Sequence, residues 1–161
     1  MDLVIRRIER GDLPAVLALI REFAEFEHLE AYCEVTEDNL ARAMFGADSV
    51  VEGLIAADGE KTIGYAIFYP NFASFRGKRG FYLEDIYVTT SARGQGVGER
   101  MLRSLAELAA DRGYERIDFM VLEWNTSAIS FYKKLGAHVD NDERHFKFTD
   151  QAFSDLARPD T

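Results

Sequence analysis

At 161 residues, with 47% hydrophobic side chains and only three prolines, the chain is sized for a single domain, residues 1–161, with a full core and no reason for disorder. Nineteen basic against 28 acidic residues give a net charge of -9, which argues against a nucleic-acid partner and would favour approach of a cation. Cys33 stands alone and permits no internal disulfide; charges break every apolar stretch short of membrane-spanning length, and the first seven residues lack the apolar run of a signal peptide, so a cytoplasmic protein with no membrane partner is expected.

In chain order, a strand is predicted over Leu3 to Ile8, then a helix from Asp12, an N-cap residue type with Pro14 in the first turn. Leu13, Val16, Leu17, Ile20, Phe23 and Ala24 recur along it at helical spacing. Thr36-Glu37-Asp38-Asn39 marks a second helix start, with Leu40, Ala43 and Met44 as its apolar face and an end near Gly46. Three strand-like runs follow: Val50 to Ala57, Thr62 to Tyr69 and Phe81 to Val88, the first pair joined by a turn at Asp58-Gly59. A helix from Gly98 to Arg112 turns Met101, Leu102, Leu105, Leu108 and Ala109 inward and stops at Gly113. Arg116 to Leu122 reads as a strand, Asn125 as the cap of a short helix to Leu135, and His145 to Thr149 as a final strand. The order implies an α/β fold with a mixed sheet, antiparallel at first and closed by a strand-helix-strand crossover, rather than a doubly wound one.

Arg93-Gly94-Gln95-Gly96-Val97-Gly98 joins the third of these runs to the long helix. Glycines there let backbone N–H groups approach an anion, and the helix N-terminus adds partial positive charge, so a diphosphate would fit; a plain connecting turn is the competing reading. The dinucleotide and P-loop motifs both fail, since Glu99 stands where the first needs glycine and Gly-Lys-Ser/Thr is absent. His28, His138 and His145 have no metal-ligand spacing, and no metal is expected.

Arg93, Gly96 and Gly98 match the pyrophosphate signature of the GNAT N-acetyltransferase superfamily. Tyr82-Leu83-Glu84-Asp85-Ile86-Tyr87-Val88 before the loop, and Glu123-Trp124-Asn125 with Phe131-Tyr132-Lys133-Lys134-Leu135-Gly136-Ala137 after it, resemble the diamine (spermidine/spermine) and thialysine branch, over about Val4 to Phe148. The resemblance implies a mostly antiparallel central sheet flanked by helices, whose fourth and fifth strands splay to admit acetyl-CoA as co-substrate, and commonly a homodimer. It implies an amine acetyltransferase acting by direct attack in a ternary complex on a small molecule. A peptide or protein amine acetyltransferase and a non-catalytic acyl-CoA sensor are the competing readings, and retention of Glu84 and Tyr132 favours an enzyme.

The resemblance also implies roles. Ile86, Tyr87 and Val88 would pair with the pantetheine arm, Gly94, Gln95, Gly96, Val97, Gly98 and Glu99 would hold the diphosphate, and Arg93 would meet a phosphate. Asn125 and Ser127 would orient the arm. Lys133 or Lys134 would stand in for a basic residue the family places where this chain has Leu135, unless both are simply the solvated helix face. Tyr132 would protonate the departing thiolate. An alkyl ammonium with pKa near ~10.4 is neutral about one time in a thousand at about pH 7.4, a cost of roughly 4 kcal/mol, so a base is needed. Glu84 matches the family carboxylate and is expected to remove that proton through water, with Asp85, on the opposite sheet face, drawing the cation. Glu27 matches an acid that contacts polyamines. Ala73-Ser74-Phe75 replaces the Asp-Pro-Trp of diamine acetyltransferases, and Glu143 stands where they carry a second tryptophan; a short, thialysine-like amine is therefore expected to rank above spermine.

Overall fold

A computed structural model describes residues 1–159. They group into two compact units, residues 1–120 and the described residues from Val121 onward. The first holds one five-stranded sheet in chain order: β1 (Leu3–Arg7), β2 (Glu52–Asp58), β3 (Lys61–Ala73), β4 (Lys78–Val88) and β5 (Arg116–Phe119). The first four pair antiparallel, and β5 lies parallel to β4 after the crossover through α3 (Val97–Asp111). The mixed, mostly antiparallel α/β sheet expected from the sequence is the one observed.

Two apolar layers cover the sheet. On one face α3 packs Val97, Met101, Leu105 and Ala109 against Leu54, Ala66, Phe68, Phe81 and Leu83. On the other, α1 (Leu13–Phe26) and α2 (Glu37–Phe45) set Leu13, Val16, Leu19, Leu40 and Met44 against Ile55, Tyr65, Ile67 and Tyr87. Strand alternation sends neighbouring residues to opposite layers, so Ala66 and Ile67 serve different cores. Thr36 caps α2 reciprocally, its hydroxyl accepting from the Asn39 N–H at 3.1 Å while Asn39 Oδ1 accepts from the Thr36 N–H at 2.9 Å. Asp12 stands at the N-cap of α1, but its carboxylate accepts from Arg6 at 2.8 Å and from the Glu9 N–H at 2.7 Å instead of capping that helix.

In the second unit α4 (Thr126–Lys134) is capped by Asn125, whose Oδ1 accepts from the Ala128 N–H at 3.2 Å. The expected strand at His145 to Thr149 does not form, and α5 (Asp150–Ala157) follows it. Phe146 and Phe148 alternate with Lys147 as a strand would, yet a strand also needs a paired neighbour, and no strand is described in this unit. β5 is likewise shorter than expected, ending at Phe119 instead of Leu122.

Candidate active site

The site is built from the way β4 loses a neighbour. Pairing with β5 runs from Gly80↔Arg116 to Leu83↔Phe119 and stops, while pairing with β3 continues to Val88↔Gly64. This is the expected splay. Residues 84–88 therefore pair with β3 alone among the described strands, and a strand edge of this kind is one that a ligand strand can join.

The β3–β4 register also shifts there. Phe68 faces Leu83 and Ile67 faces Asp85, so Glu84 is an extra residue, a β-bulge. Without it, Leu83 and Asp85 would share a face. With it, Leu83 stays in the α3 layer and Asp85 turns toward the α1 layer with Ile67, Tyr65 and Tyr87. The Tyr65 hydroxyl donates to Asp85 Oδ2 at 3.1 Å. Protein largely surrounds this carboxylate, although the residue keeps some open surface, and burial pushes its pKa up to about 6, with a smaller rise from the Glu84 charge and a counter-pull from the Tyr65 bond. Burial likewise raises Glu27, half-buried at the end of α1, and the Asp85 charge adds to it. Glu84 is exposed and accepts from the Tyr69 hydroxyl at 3.3 Å. Tyr69 is pushed up to about 12, by burial first and Glu84 second.

A clasp fixes the end of β4 to α1. Glu22 accepts from the hydroxyls of Tyr87 at 2.9 Å and Thr89 at 2.8 Å, and Phe23 stacks on Tyr87 at 4.9 Å between ring centroids. Arg93 joins it: its Nε donates to the Val88 carbonyl at 3.1 Å, and its guanidinium lies 4.6 Å from the Phe26 ring centroid and 5.2 Å from that of Tyr87. The side chain expected to meet a phosphate is thus held over two rings, and the loop beyond it offers backbone. Gly94 and Gly96 have φ of 75° and 77°, a left-handed conformation that favours glycine, and open space lies over both. Gly96 is the N-cap of α3, so the first N–H groups of that helix, from Val97 onward, open at the loop.

In the second unit, Tyr132 is half-buried on α4, with its ring 5.2 Å from Phe131 in edge contact. Ser127, Lys133 and Lys134 are exposed on the same helix, and Asn125 spends its side-chain oxygen on the cap. A cavity of about 370 Å³, lined by Arg7, Met44, Phe45 and Glu52 among others, includes none of the residues singled out from the sequence.

A family model described as the Acetyltransferase (GNAT) family matches residues 15–137. The chain belongs to this acetyltransferase family. It is 36% identical over 165 residues to the thialysine N-epsilon-acetyltransferase of Bos taurus, covering 96% of each chain. It is 34% identical to the spermidine/spermine N(1)-acetyltransferase-like protein 1 of Homo sapiens, covering 95% of this chain and 23% of that one. Among solved structures, an integron cassette protein from the mobile metagenome of V. cholerae matches with a TM-score of 0.83 at 24% identity over 99% of each chain. An aminoglycoside acetyltransferase from an uncultured soil metagenomic sample matches at 0.78 and 21%, over 93% of this chain and 97% of that one. At these identities the structural likeness speaks for the fold alone. The protein is an acyltransferase enzyme, and no helix among its described residues is long and apolar enough to cross a membrane.

Three parts of this acetyltransferase site were not read from the sequence: Tyr65, the partner of Asp85; Glu22, the anchor of Tyr87 and Thr89; and the aromatic seat of Arg93. Tyr65 and Tyr87 stand inside apolar strand-like runs, and a phenol inside a core calls for an acceptor, which was the available signal. The residues present fit an acyl-CoA: an unpaired strand edge for an amide-bearing arm, a left-handed glycine loop at a helix N-terminus for a diphosphate, and acids at the strand end for an amine.

Proposed function

We propose that the protein moves an acetyl group from acetyl-CoA to a primary amine of a small molecule, a thialysine-like amino acid, a diamine or a polyamine, by direct attack in a ternary complex. The observation that carries this reading is the free edge of residues 84–88, running from a pair of acids straight into the Gly94–Gly96 loop and α3. A pantetheine arm laid along that edge would receive backbone hydrogen bonds, and a backbone N–H of residues 86–88 would polarise the thioester carbonyl. Gly94 to Glu99 would hold the diphosphate, Asn125 and Ser127 would orient the pantetheine arm, and Lys133 or Lys134 would stand in for the basic residue that the family places where this chain has Leu135. Glu84 and Asp85 divide attraction of the cation from removal of its proton, and Glu27 adds negative charge to the amine site. The likeness to thialysine N-epsilon-acetyltransferases across nearly the whole chain supports the short-amine end of this range.

Tyr132 is the proposed acid for the departing thiolate: a phenol near ~10 gives a proton to a thiolate near ~8.5 at modest uphill cost when the two are held close. Thiol release across thialysine, amino acids, diamines, polyamines and amino-terminal peptides tests the function, with thialysine or another short amine expected to lead. A tenfold lead for spermine would reverse that ranking. Tyr132→Phe should lower kcat by about 10²–10⁴ with little change in acetyl-CoA affinity, and turnover within a few-fold of the parent enzyme would remove Tyr132 from the role.

A further inference from the structure

Two adjacent acids stand where β4 loses its β5 neighbour, and their surroundings differ. Glu84 occupies the bulge, exposed, with one 3.3 Å bond from Tyr69. Asp85 is turned inward on the α1 face, where the Tyr65 phenol grips one of its oxygens. We propose that Asp85, positioned by Tyr65, takes the proton from the substrate ammonium, and that Glu84 is the outer charge that draws the cation in. This reverses the roles that motif matching assigns to the pair and rests on the acetyl-transfer function proposed above.

Orientation is the first argument. Tyr65 is fully buried on a central strand, so its hydroxyl is a fixed donor, and holding Oδ2 fixes the direction in which Oδ1 faces. Among the described residues no other hydrogen bond reaches the Asp85 carboxylate, so Oδ1 is left for an incoming N–H. Glu84 has a longer side chain, a solvated head and a weaker tether, and nothing comparable aims it.

Electrostatics is the second. Glu27 faces Asp85 from the end of α1, Glu84 adjoins it on β4, Tyr65 meets it from β3, and Cys33 acts on the Tyr65 phenol from the segment after α1. Arg93 supplies positive charge on this face, spread over Phe26 and Tyr87. A surplus of negative charge favours an ammonium as guest, and burial makes the Asp85 carboxylate a stronger base toward it. Relative to an ordinary carboxylate, Asp85 narrows the gap to an ammonium near ~10.4 by about a hundredfold and still ionises below neutral pH.

The step balances simply. The Asp85 carboxylate and the alkylammonium become a carboxylic acid and a neutral amine. The amine lone pair forms the C–N bond to the thioester carbon, and the C–S bond of the tetrahedral adduct breaks with its electron pair leaving on sulfur. Tyr132 gives its proton to the departing thiolate, which leaves as CoA thiol, and the second N–H proton of the adduct restores the phenol, while Asp85 returns its proton to water. The products are an acetamide and CoA, with no other reactant.

The test is the pH profile of kcat/KM from about pH 5 to 9 with the best amine of the panel, for the parent enzyme, Tyr65→Phe, Asp85→Asn and Glu84→Gln, together with acetyl-CoA affinity. In Tyr65→Phe the acidic limb should move to higher pH by about one unit, because the lost bond had favoured the ionised carboxylate. Asp85→Asn should lower kcat/KM by about 10²–10⁴ and abolish the limb. Glu84→Gln should keep the limb and raise KM at low salt. A limb that stays put in folded, acetyl-CoA-binding Tyr65→Phe overturns the proposal. Should Tyr65→Phe fail to fold, the other two variants decide, and loss of the limb in Glu84→Gln with retention in Asp85→Asn overturns it equally. A parent enzyme that acetylates no amine of the panel overturns instead the function on which the assignment rests.

Discussion

The two halves of β4 share one strand and one antiparallel neighbour but do different work. Residues 78–83 are bonded to β3 on one side and, from Gly80, to β5 on the other, and they send Phe81 and Leu83 into the α3 core. Residues 84–88 are bonded to β3 alone and carry a bulge, two carboxylates and the clasped Tyr87. Where both edges are paired, the backbone hydrogen-bonding capacity is used within the sheet. Where β5 departs, the same strand keeps hydrogen-bonding capacity and tolerates half-buried charge, which is what a ligand site requires.

The largest contrast is in stability. Phe81 is fully buried, in edge contact with Phe68 at 4.8 Å and Tyr114 at 5.1 Å and beneath the Arg112 guanidinium. Phe81→Ala should cost about 3–5 kcal/mol in denaturant unfolding, the usual price of an aromatic-sized cavity. A loss below about 1 kcal/mol would mean the paired half is not the structural half.

Asp85→Asn should act in the opposite direction. The folded protein holds the Asp85 proton up to about pH 6, whereas an unfolded aspartate releases it near ~3.9, so between those values the folded state binds more protons and stability falls as pH rises. The penalty is complete above about pH 6 and absent below about pH 4. Asp85→Asn should therefore raise the melting stability at about pH 8 by something on the order of 1–3 kcal/mol, with no gain near pH 4, while impairing turnover. Equal stability of parent and variant at both pH values would show that the unpaired half carries no strain of this kind.

The loop that follows the unpaired half gives a smaller and more selective effect. Gly96 and Gly113 have nearly the same φ, 77° and 76°, and an added Cβ would meet nothing at either, so Ala imposes a similar backbone strain of about 1 kcal/mol or somewhat more at both. Only Gly96 lies in the proposed diphosphate cradle, at the N-cap of α3. Gly96→Ala should weaken acetyl-CoA binding in calorimetric titration and Gly113→Ala should not, though both lower Tm. Equal affinities would reduce the glycine loop to a plain turn.

The paired half of this contrast could be read from residues alone, and the unpaired half only in part. Met101, Leu105 and Ala109 are all buried as helical spacing requires, and the meander appears in the expected order, because period and turn chemistry are local. The glycine loop is local too. The bulge at Glu84 is a relation between two strands, and one shifted residue decides which core Asp85 faces. Tyr65, twenty positions away, becomes its partner only through that register. The charge of Arg93 is visible in a sequence, and its aromatic seat made of Phe26 and Tyr87 is not. The run from His145 to Thr149 failed for the complementary reason: alternation is written in the residues, but a pairing neighbour is not.

The finest separation lies within the unpaired half itself. If Glu84 acts through its field, Glu84→Gln should raise KM about two- to fivefold at low salt, more for a dication than for a monocation, and the rise should fade at about 0.5 M salt, where the screening length falls to a few ångströms. Because Glu84 is exposed, Tm should hardly move. Lys78, on the paired half, is an internal comparison: it is matched with Glu115 at 2.9 Å, so Lys78→Gln should leave both KM and its salt dependence unchanged. A KM rise in Glu84→Gln that survives high salt would mean that this carboxylate touches the amine directly. The division between an outer charge at the bulge and an inner base beside it would then collapse into one shared contact.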